Sequence, residues 1–182
     1  REALAYLESR HVLEILECVE QPDEDWDAQW KASFRGVDVQ PFWRIRPPWV
    51  EGETDAGGIQ LLLNPGAGFG TGTHETTQLC LQLLAEFGPQ LSGVQAPSKA
   101  LTGCRVLDFG SGSGVLSIAA ALLGARETTG IEIDPLAIEN AEENARLNRL
   151  EGRVRFVRDF EAAPEVREGC ELVLANILRP VL

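Results

Sequence analysis

A short apolar strand, a glycine turn and a helix follow one another in the middle of this chain. Residues 104–109 are mostly apolar, Gly110, Gly112 and Gly114 come next at alternate positions, and residues 115–123 have the composition of a buried helix. Glycine is required where a backbone turns sharply or approaches a ligand so closely that a Cβ atom would collide. The succession therefore predicts a nucleotide-type ligand site at the end of a central strand of an α/β fold.

The spacing of these glycines narrows the class of ligand. A dinucleotide-binding turn needs a third glycine three residues after the second, and Val115 occupies that position. The next strand, over residues 128–133, contains Glu132, whose carboxylate could accept both hydroxyls of a ribose. The pattern favours an adenosine without phosphates, and S-adenosylmethionine is the common cofactor of that shape. Another nucleotide-binding domain is the alternative, because a glycine turn alone is weak evidence.

The composition is ordinary for a soluble globular protein. The chain has 182 residues, of which 44% are hydrophobic and 24% charged. It contains no run of about 18 apolar residues, and its start has no basic segment followed by an apolar one, so we expect a cytoplasmic protein without membrane contact. The chain begins with Arg1 and contains no methionine, which indicates that residue 1 is not the natural start.

The net charge indicates the kind of partner, and the cysteine spacing bears on metal and redox sites. The net charge of −12 repels phosphate backbones, so we expect a basic protein partner and no direct contact with nucleic acid. The four cysteines are isolated, and no two have the spacing of a metal or redox site. We expect no metal, and we interpret the cysteines as small core residues in a reducing compartment.

The order of predicted elements gives the architecture. Strands are predicted at residues 42–46, 59–63, 128–133, 154–157 and 171–175, and helices at 75–87 and 135–147. Alternating strands and helices are typical of a doubly wound, mostly parallel sheet. We expect three regions: 1–35 as the remnant of a small N-terminal α/β domain with a linker helix, 36–58 as a linker, and 59–182 as the catalytic domain. Residues 88–102, which are rich in glycine and proline, are predicted to form a surface loop.

Residues 66–77 form the most unusual stretch, with sequence GAGFGTGTHETT. So many glycines and threonines cannot form a regular element, so we predict a glycine-rich loop that opens a helix. The free N–H groups of such a helix start suit a carboxylate such as the methionine end of the cofactor, and without a lysine the loop is not a phosphate loop. His74 is either a base or a helix cap.

Four candidate residues follow the predicted parallel strands: Gly110, Glu132, Asp159 and Asn176. The carboxyl ends of parallel strands lie at one edge of a sheet, where open α/β sheets bind ligands. Asp159 either meets the adenine or is an exposed loop acid. Asn176 is either a functional residue or a turn former.

Four sequence segments of this chain, taken together, resemble the ribosomal protein L-eleven methyltransferase family (PrmA). They are NPGAGFGTGTHETT at 64–77, VLDFGSGSGVL at 106–116, GIEIDP at 130–135 and ANIL at 175–178. The resemblance covers about residues 20–182, and the first string is the most specific. It implies a Rossmann-like class I fold, S-adenosylmethionine as cofactor, and methylation of amino groups of a ribosomal protein, chiefly lysine side chains, with the N-terminal amine as a further candidate.

Position by position, the resemblance implies a set of cofactor contacts. They lie at Thr77 on the helix, Gly110 in the turn, Glu132 at the ribose and Asn176 near the reacting methyl group, with Phe69 and Gly70 lining the pocket. Gly112 and Asp159 complete the candidate cofactor site, and Asn176 is also the candidate catalytic residue, which orients the amine without a covalent intermediate.

Two departures from the family pattern matter. Glu132 stands where the family often has aspartate, and the chain stops just after its fourth predicted central strand, without the three further strands of the usual sheet. We therefore expect a fragment or a divergent truncated homologue. The alternatives are a methyltransferase for a different protein lysine and a non-catalytic module that binds the cofactor.

Overall fold

The computed structural model describes residues 34–50, 58–66, 72–163 and 168–177. The chain divides into two compact units, Arg1–Ser33 and Phe34–Leu182, and the elements given below belong to the second. The expectations for residues 1–33, and for Phe69 and Gly70, lie outside the described residues.

A small sheet comes first along the described chain. It consists of β1 (Val37–Val39), β2 (Trp43–Arg46) and β3 (Ile59–Leu62), with β1 antiparallel and β3 parallel to the central β2. Trp43 is 1% exposed, and its Nε1 donates a hydrogen bond of 2.9 Å to the backbone oxygen of Leu81 in the first helix. The stretch 36–58, expected to be a linker, thus contributes two strands that share the core of this unit.

The central sheet consists of β4 (Arg105–Phe109), β5 (Glu127–Ile131), β6 (Val154–Val157) and β7 (Leu172–Ala175). Its order is β6-β5-β4-β7, and each neighbouring pair is parallel. The predicted parallel α/β sheet is confirmed in these strands. Residues 106–108 of β4 and 128–131 of β5 are buried, as expected for strands covered on both faces.

The helices are α1 (Glu75–Ser92), α2 (Val115–Leu122) and α3 (Pro135–Leu147). Buried alanines let α2 lie close to the sheet, and residues 115–121 are all buried. The start of α3 is as predicted, since the carboxylate of Asp134 accepts the N–H of Leu136 at 2.9 Å and Pro135 opens the helix. Short 3₁₀ turns lie at Pro97–Lys99 and Phe160–Ala162.

Residues 88–102 differ from the predicted surface loop. Helix α1 continues through Pro89 to Ser92 and ends where Gly93 adopts a left-handed φ of 74°. Gly88 is buried, and so are Ala100 and Leu101, which belong to the main hydrophobic core. Proline and glycine favour a loop in the sequence pattern, but the C-terminal end of α1 accommodates both.

The main core joins the small sheet, α1, α2 and the central strands. Its largest fully buried side chains include Trp43, Ile45, Leu61, Leu81, Leu101, Ile118 and Leu123. Among the described cysteines, Cys104 is in this core, whereas Cys80 and Cys170 are partly buried against it and against a smaller cluster. Within the described ranges, no helix has the length and apolar character needed to cross a membrane.

Candidate functional site

The four central strands end at one edge of the sheet, and polar or glycine residues follow them there. Gly110 follows β4, Glu132 follows β5, Asp159 lies just beyond β6, and Asn176 follows β7. Successive strands run outward from β4 through β5 to β6, and then β7 lies on the other side of β4. An open parallel sheet commonly has its ligand crevice at such a reversal, so the ends of β4 and β7 are the candidate position for the site.

The glycine turn between β4 and α2 requires its three glycines. Gly110, Gly112 and Gly114 have φ angles of 72°, 53° and 78°, a left-handed region that side chains disfavour. The N–H groups of Gly110 and Ser111 both donate to the backbone oxygen of Ile131, at 2.9 and 3.0 Å. The turn is therefore tied to the end of β5, and Gly114 starts α2 without a side-chain cap.

Glu132 is bound to this turn through its carboxylate. Its Oε2 accepts the N–H of Gly112 at 2.9 Å, and its Oε1 accepts the N–H groups of Ile133 and Asp134 at 2.8 and 3.1 Å. A carboxylate has about four acceptor positions, so three backbone donors leave capacity for a ligand hydroxyl. The structure thus brings together two predicted site residues, Gly112 and Glu132, and fixes the acid at the strand end.

Asn176 contacts a second predicted residue, Thr77. The Nδ2 of Asn176 donates to the Oγ1 of Thr77 at 3.2 Å, although the residues lie 99 positions apart. Thr77 is 0% exposed in the first turn of α1. Because the amide nitrogen is engaged by Thr77, the Oδ1 of Asn176 is left as the acceptor for an incoming donor. The glycine-threonine string and the end of β7 therefore meet at the predicted site.

Asp159 takes no part in the contacts described above. It is exposed, it precedes the 3₁₀ turn Phe160–Ala162, and its side chain does not cap that turn. Its neighbour Phe160 packs edge to face on Phe109 at the end of β4, with ring centroids 5.9 Å apart. These two rings contribute apolar surface beside the 3₁₀ turn.

His74 caps α1. Its Nδ1 accepts the N–H of Thr76 at 3.3 Å and lies 2.8 Å from the Oγ1 of the same residue. Of the two roles predicted for this histidine, the structure shows the cap.

At the preceding loop, Gly72 has a φ of 79°, and a Cβ atom there would lie 2.6 Å from the Cδ1 of Ile45.

Asp108 is a buried titratable residue, within electrostatic range of Glu132, that the sequence reasoning missed. It lies in β4 at 1% exposure, and its Oδ2 accepts the hydroxyl of Ser117 in α2 at 2.6 Å. Burial raises the pKa of Asp108 from 3.8 to about 6; the hydrogen bonds from Ser117 oppose this shift and the charge of Glu132 adds to it. The available signal was a single carboxylate inside an otherwise apolar strand.

Comparisons with known proteins identify the family that this chain resembles. The family described as "Ribosomal protein L11 methyltransferase (PrmA)" matches residues 3–182. The ribosomal protein L11 methyltransferase of Hahella chejuensis is 43% identical over 164 residues, which are 90% of this chain and 50% of that protein. That of Trichlorobacter lovleyi is 39% identical over 156 residues, 86% of this chain and 48% of the relative. The chain therefore spans about half the length of the curated relatives it matches.

A solved structure extends the likeness to the fold. The ribosomal protein L11 methylase of Lactobacillus delbrueckii subsp. bulgaricus superposes with a TM-score of 0.60 and 27% sequence identity. The alignment covers 81% of this chain and 69% of that one. A match of this extent confirms the predicted Rossmann-like fold.

Proposed function

The chain belongs to the ribosomal protein L11 methyltransferase family, and we propose on that basis that the full-length protein transfers methyl groups from S-adenosylmethionine to amino groups of a ribosomal protein. Lysine side chains are the main acceptors, and the N-terminal amine is a further candidate. The observation that carries this proposal is the pairing of the Glu132 carboxylate with the Gly112 N–H at 2.9 Å beside the strand reversal. This arrangement suits an adenosine without a pyrophosphate.

The residues of the turn fit the proposed cofactor. Glu132 retains acceptor capacity for ribose hydroxyls, and the left-handed glycines keep the backbone free of Cβ atoms. Ser111 is 6% exposed, and its Oγ has no hydrogen-bond partner among the described residues. A buried polar atom without a partner beside an anionic strand end supports a ligand at this place. When bound, S-adenosylmethionine supplies an activated methyl group.

Asn176 is proposed to orient the methyl acceptor. Its Nδ2 is held by Thr77, so its Oδ1 can accept a hydrogen bond from an amine that has lost one proton. A lysine amine is mostly protonated at pH 7, and transfer into a largely apolar pocket favours its neutral form. The lone pair of the neutral nitrogen could then accept the methyl group while the carbon–sulfur bond of the donor would break and release a neutral thioether. Orientation by Asn176 contributes through proximity. No side chain of the protein forms a covalent intermediate in this scheme.

The partners and the domain roles belong to the same proposal. A net charge of −12 favours a basic protein substrate over direct binding of nucleic acid or of an anionic membrane surface. We assign residues 1–35 to the remnant of a substrate-recognition domain, and the division of the chain after Ser33 supports this boundary. The proposed location of the protein is the cytoplasm, where ribosomal proteins are available as substrates.

Two measurements on the full-length protein test the proposal. Calorimetry should detect binding of S-adenosylmethionine and of its demethylated product, and no binding of NAD. Incubation of ribosomal protein L11 and other basic proteins with labelled cofactor, followed by mass spectrometry, should add methyl groups to amines of the ribosomal protein. Binding of NAD with no response to S-adenosylmethionine would overturn the cofactor assignment. Binding without methylation of any candidate would instead favour a non-catalytic module.

A further inference from the structure

Three asparagines lie four residues apart along α3 and its C-terminal cap: Asn140 and Asn144 in the helix, and Asn148 as the cap. Residues with this spacing are neighbours on a helix surface. All three carboxamides bond to backbone atoms of the segment at the end of β3. None of them belongs to the site residues described above.

Asn144 and Asn148 each bind that segment as a neighbouring strand would. The Oδ1 of Asn148 accepts the N–H of Leu62 at 2.9 Å, and its Nδ2 donates to the oxygen of the same residue at 2.6 Å. Asn144 does the same with Asn64, at 2.7 and 3.3 Å. Since β2 pairs with the other edge of β3, these carboxamides cover the edge that no strand covers within the described residues.

Asn144 makes one bond that Asn148 lacks. Its Nδ2 also donates to the oxygen of Ser113, in the glycine turn, at 3.0 Å, whereas the Nδ2 of Asn148 donates to Asn144 itself at 2.8 Å. Asn144 is 0% exposed, so water cannot replace these partners without local opening. One buried carboxamide therefore joins the segment at Asn64 to the turn at Ser113.

One of these segments is the glycine turn of the proposed cofactor site, and the other leads along the chain to Thr77. Asn64 begins the 64–77 string, which leads to Thr77, and Ser113 follows Gly112, whose N–H is bound by Glu132. Resting on the proposed function, we propose that Asn144 is a positioning residue: it sets the separation of these two segments and so holds the glycine turn in the form that accepts the cofactor. Asn148 holds the strand edge only.

Asn148→Ala is the matched control for Asn144→Ala. Each substitution removes a carboxamide that pairs with one backbone N–H and one backbone oxygen of the same segment, but only Asn144→Ala loses the bond to the glycine turn. Calorimetry with S-adenosylmethionine should show about a tenfold weaker Kd for Asn144→Ala and less than about a threefold change for Asn148→Ala. The melting temperature without ligand should be lower than that of the wild type for both variants. Equal effects on Kd in the two variants would show that Asn144 has only a structural role.

Amide hydrogen exchange of the ligand-free protein gives a second readout, which does not depend on the cofactor. Asn144→Ala should speed exchange at Gly112 and Gly114, and Asn148→Ala should leave both amides unchanged. Unaltered exchange at Gly112 and Gly114 in folded Asn144→Ala would overturn the positioning role. If the wild-type protein does not bind S-adenosylmethionine, the proposed function fails, and the exchange comparison still decides the role of Asn144. Should Asn144→Ala not fold, Asn144→Gln replaces it in both measurements, with the same deciding outcomes.

Discussion

The Nδ2 of Asn176 donates a hydrogen bond to the Oγ1 of Thr77 at 3.2 Å, which joins the end of β7 to the first turn of α1. Thr77 is fully buried, so its hydroxyl is a fixed partner and not a mobile surface group. This bond orients the carboxamide so that its Oδ1 can accept a hydrogen bond from the amine that we propose as the methyl acceptor. One contact thus connects the glycine-threonine string to the side chain proposed to orient the substrate.

Asn176→Ala should lower turnover more than cofactor affinity, because the side chain acts on the incoming amine. We expect kcat to fall by roughly tenfold or more, with a Kd for S-adenosylmethionine within about threefold of the wild-type value. Steady-state kinetics and calorimetry measure the two quantities separately. Thr77→Val is the companion variant, since it removes the partner hydroxyl and keeps Asn176. If Asn176→Ala left both turnover and the modified position unchanged, the asparagine would be only a turn residue.

Glu132→Ala should weaken cofactor binding. The carboxylate is proposed to accept ribose hydroxyls, and charge-assisted hydrogen bonds contribute roughly 1.5–3 kcal/mol each, so we expect a Kd about tenfold higher or more. Glu132→Asp keeps two acceptor oxygens on a shorter arm and should lose less. The exposed Glu139 of α3 provides the control for loss of one negative charge, through Glu139→Ala. Calorimetry with S-adenosylmethionine tests all three, and equal affinities for the Glu132 and Glu139 alanine variants would exclude the ribose contact.

The sequence located the strand ends and the glycine turn because these depend on local patterns. The residues after β4, β5 and β7 were predicted in place, since an apolar run followed by a polar or glycine residue marks a strand end, and parallel strands bring their carboxyl ends together. The contact between Asn176 and Thr77 could not be predicted in this way. It depends on how α1 packs against the sheet, and no local pattern links residues 99 positions apart.

The strands at 42–46 and 59–63 are predicted from the sequence, but β1 and the pairing of the three strands into one buried sheet are not, for a related reason. Trp43 and Ile45 are buried by side chains and a helix that follow much later in the chain, and the Nε1 of Trp43 bonds to Leu81. Short strands flanked by proline and glycine have the composition of a linker, and only the tertiary packing distinguishes the two. Asp108 was missed because the apolar pattern of β4 was interpreted without its one carboxylate.

Gly114→Ala and Gly152→Ala should separate backbone strain from steric collision. Both glycines have left-handed φ angles, 78° and 77°, so alanine is strained by roughly 1–2 kcal/mol at either position. A Cβ atom at Gly114 would also lie 2.7 Å from the Cζ of Phe156 and 3.1 Å from the Cβ of Ala141, whereas nothing lies within 4 Å of one at Gly152. Overpacking adds about 1–3 kcal/mol. Urea denaturation should therefore show the larger loss for Gly114→Ala, and equal losses would mean that the turn adjusts without cost.

Ionisation of Asp108 should make the protein less stable as the pH rises from about 4 to 6. An unfolded chain releases this proton near the ordinary pKa of 3.8, whereas burial in the folded protein raises the pKa of Asp108 to about 6. In this window the folded state binds more protons, so the free energy of unfolding falls with rising pH, and above about 6 the contribution is constant. The shift corresponds to roughly 3 kcal/mol between the two limits.

Asp108→Asn removes this titration and keeps an oxygen acceptor for the Ser117 hydroxyl, which lies 2.6 Å from Oδ2. Relative to the wild type, the variant should therefore gain roughly 3 kcal/mol of stability between pH 4 and pH 7, whatever its stability at pH 4. Ser117→Ala should act in the opposite sense: without the hydroxyl bond the pKa of Asp108 rises further, and the loss of stability extends to higher pH. Urea denaturation of the three proteins at closely spaced pH values measures the differences. If the free energy of unfolding changed with pH in the same way for wild type and Asp108→Asn across this range, the buried carboxyl would not titrate there.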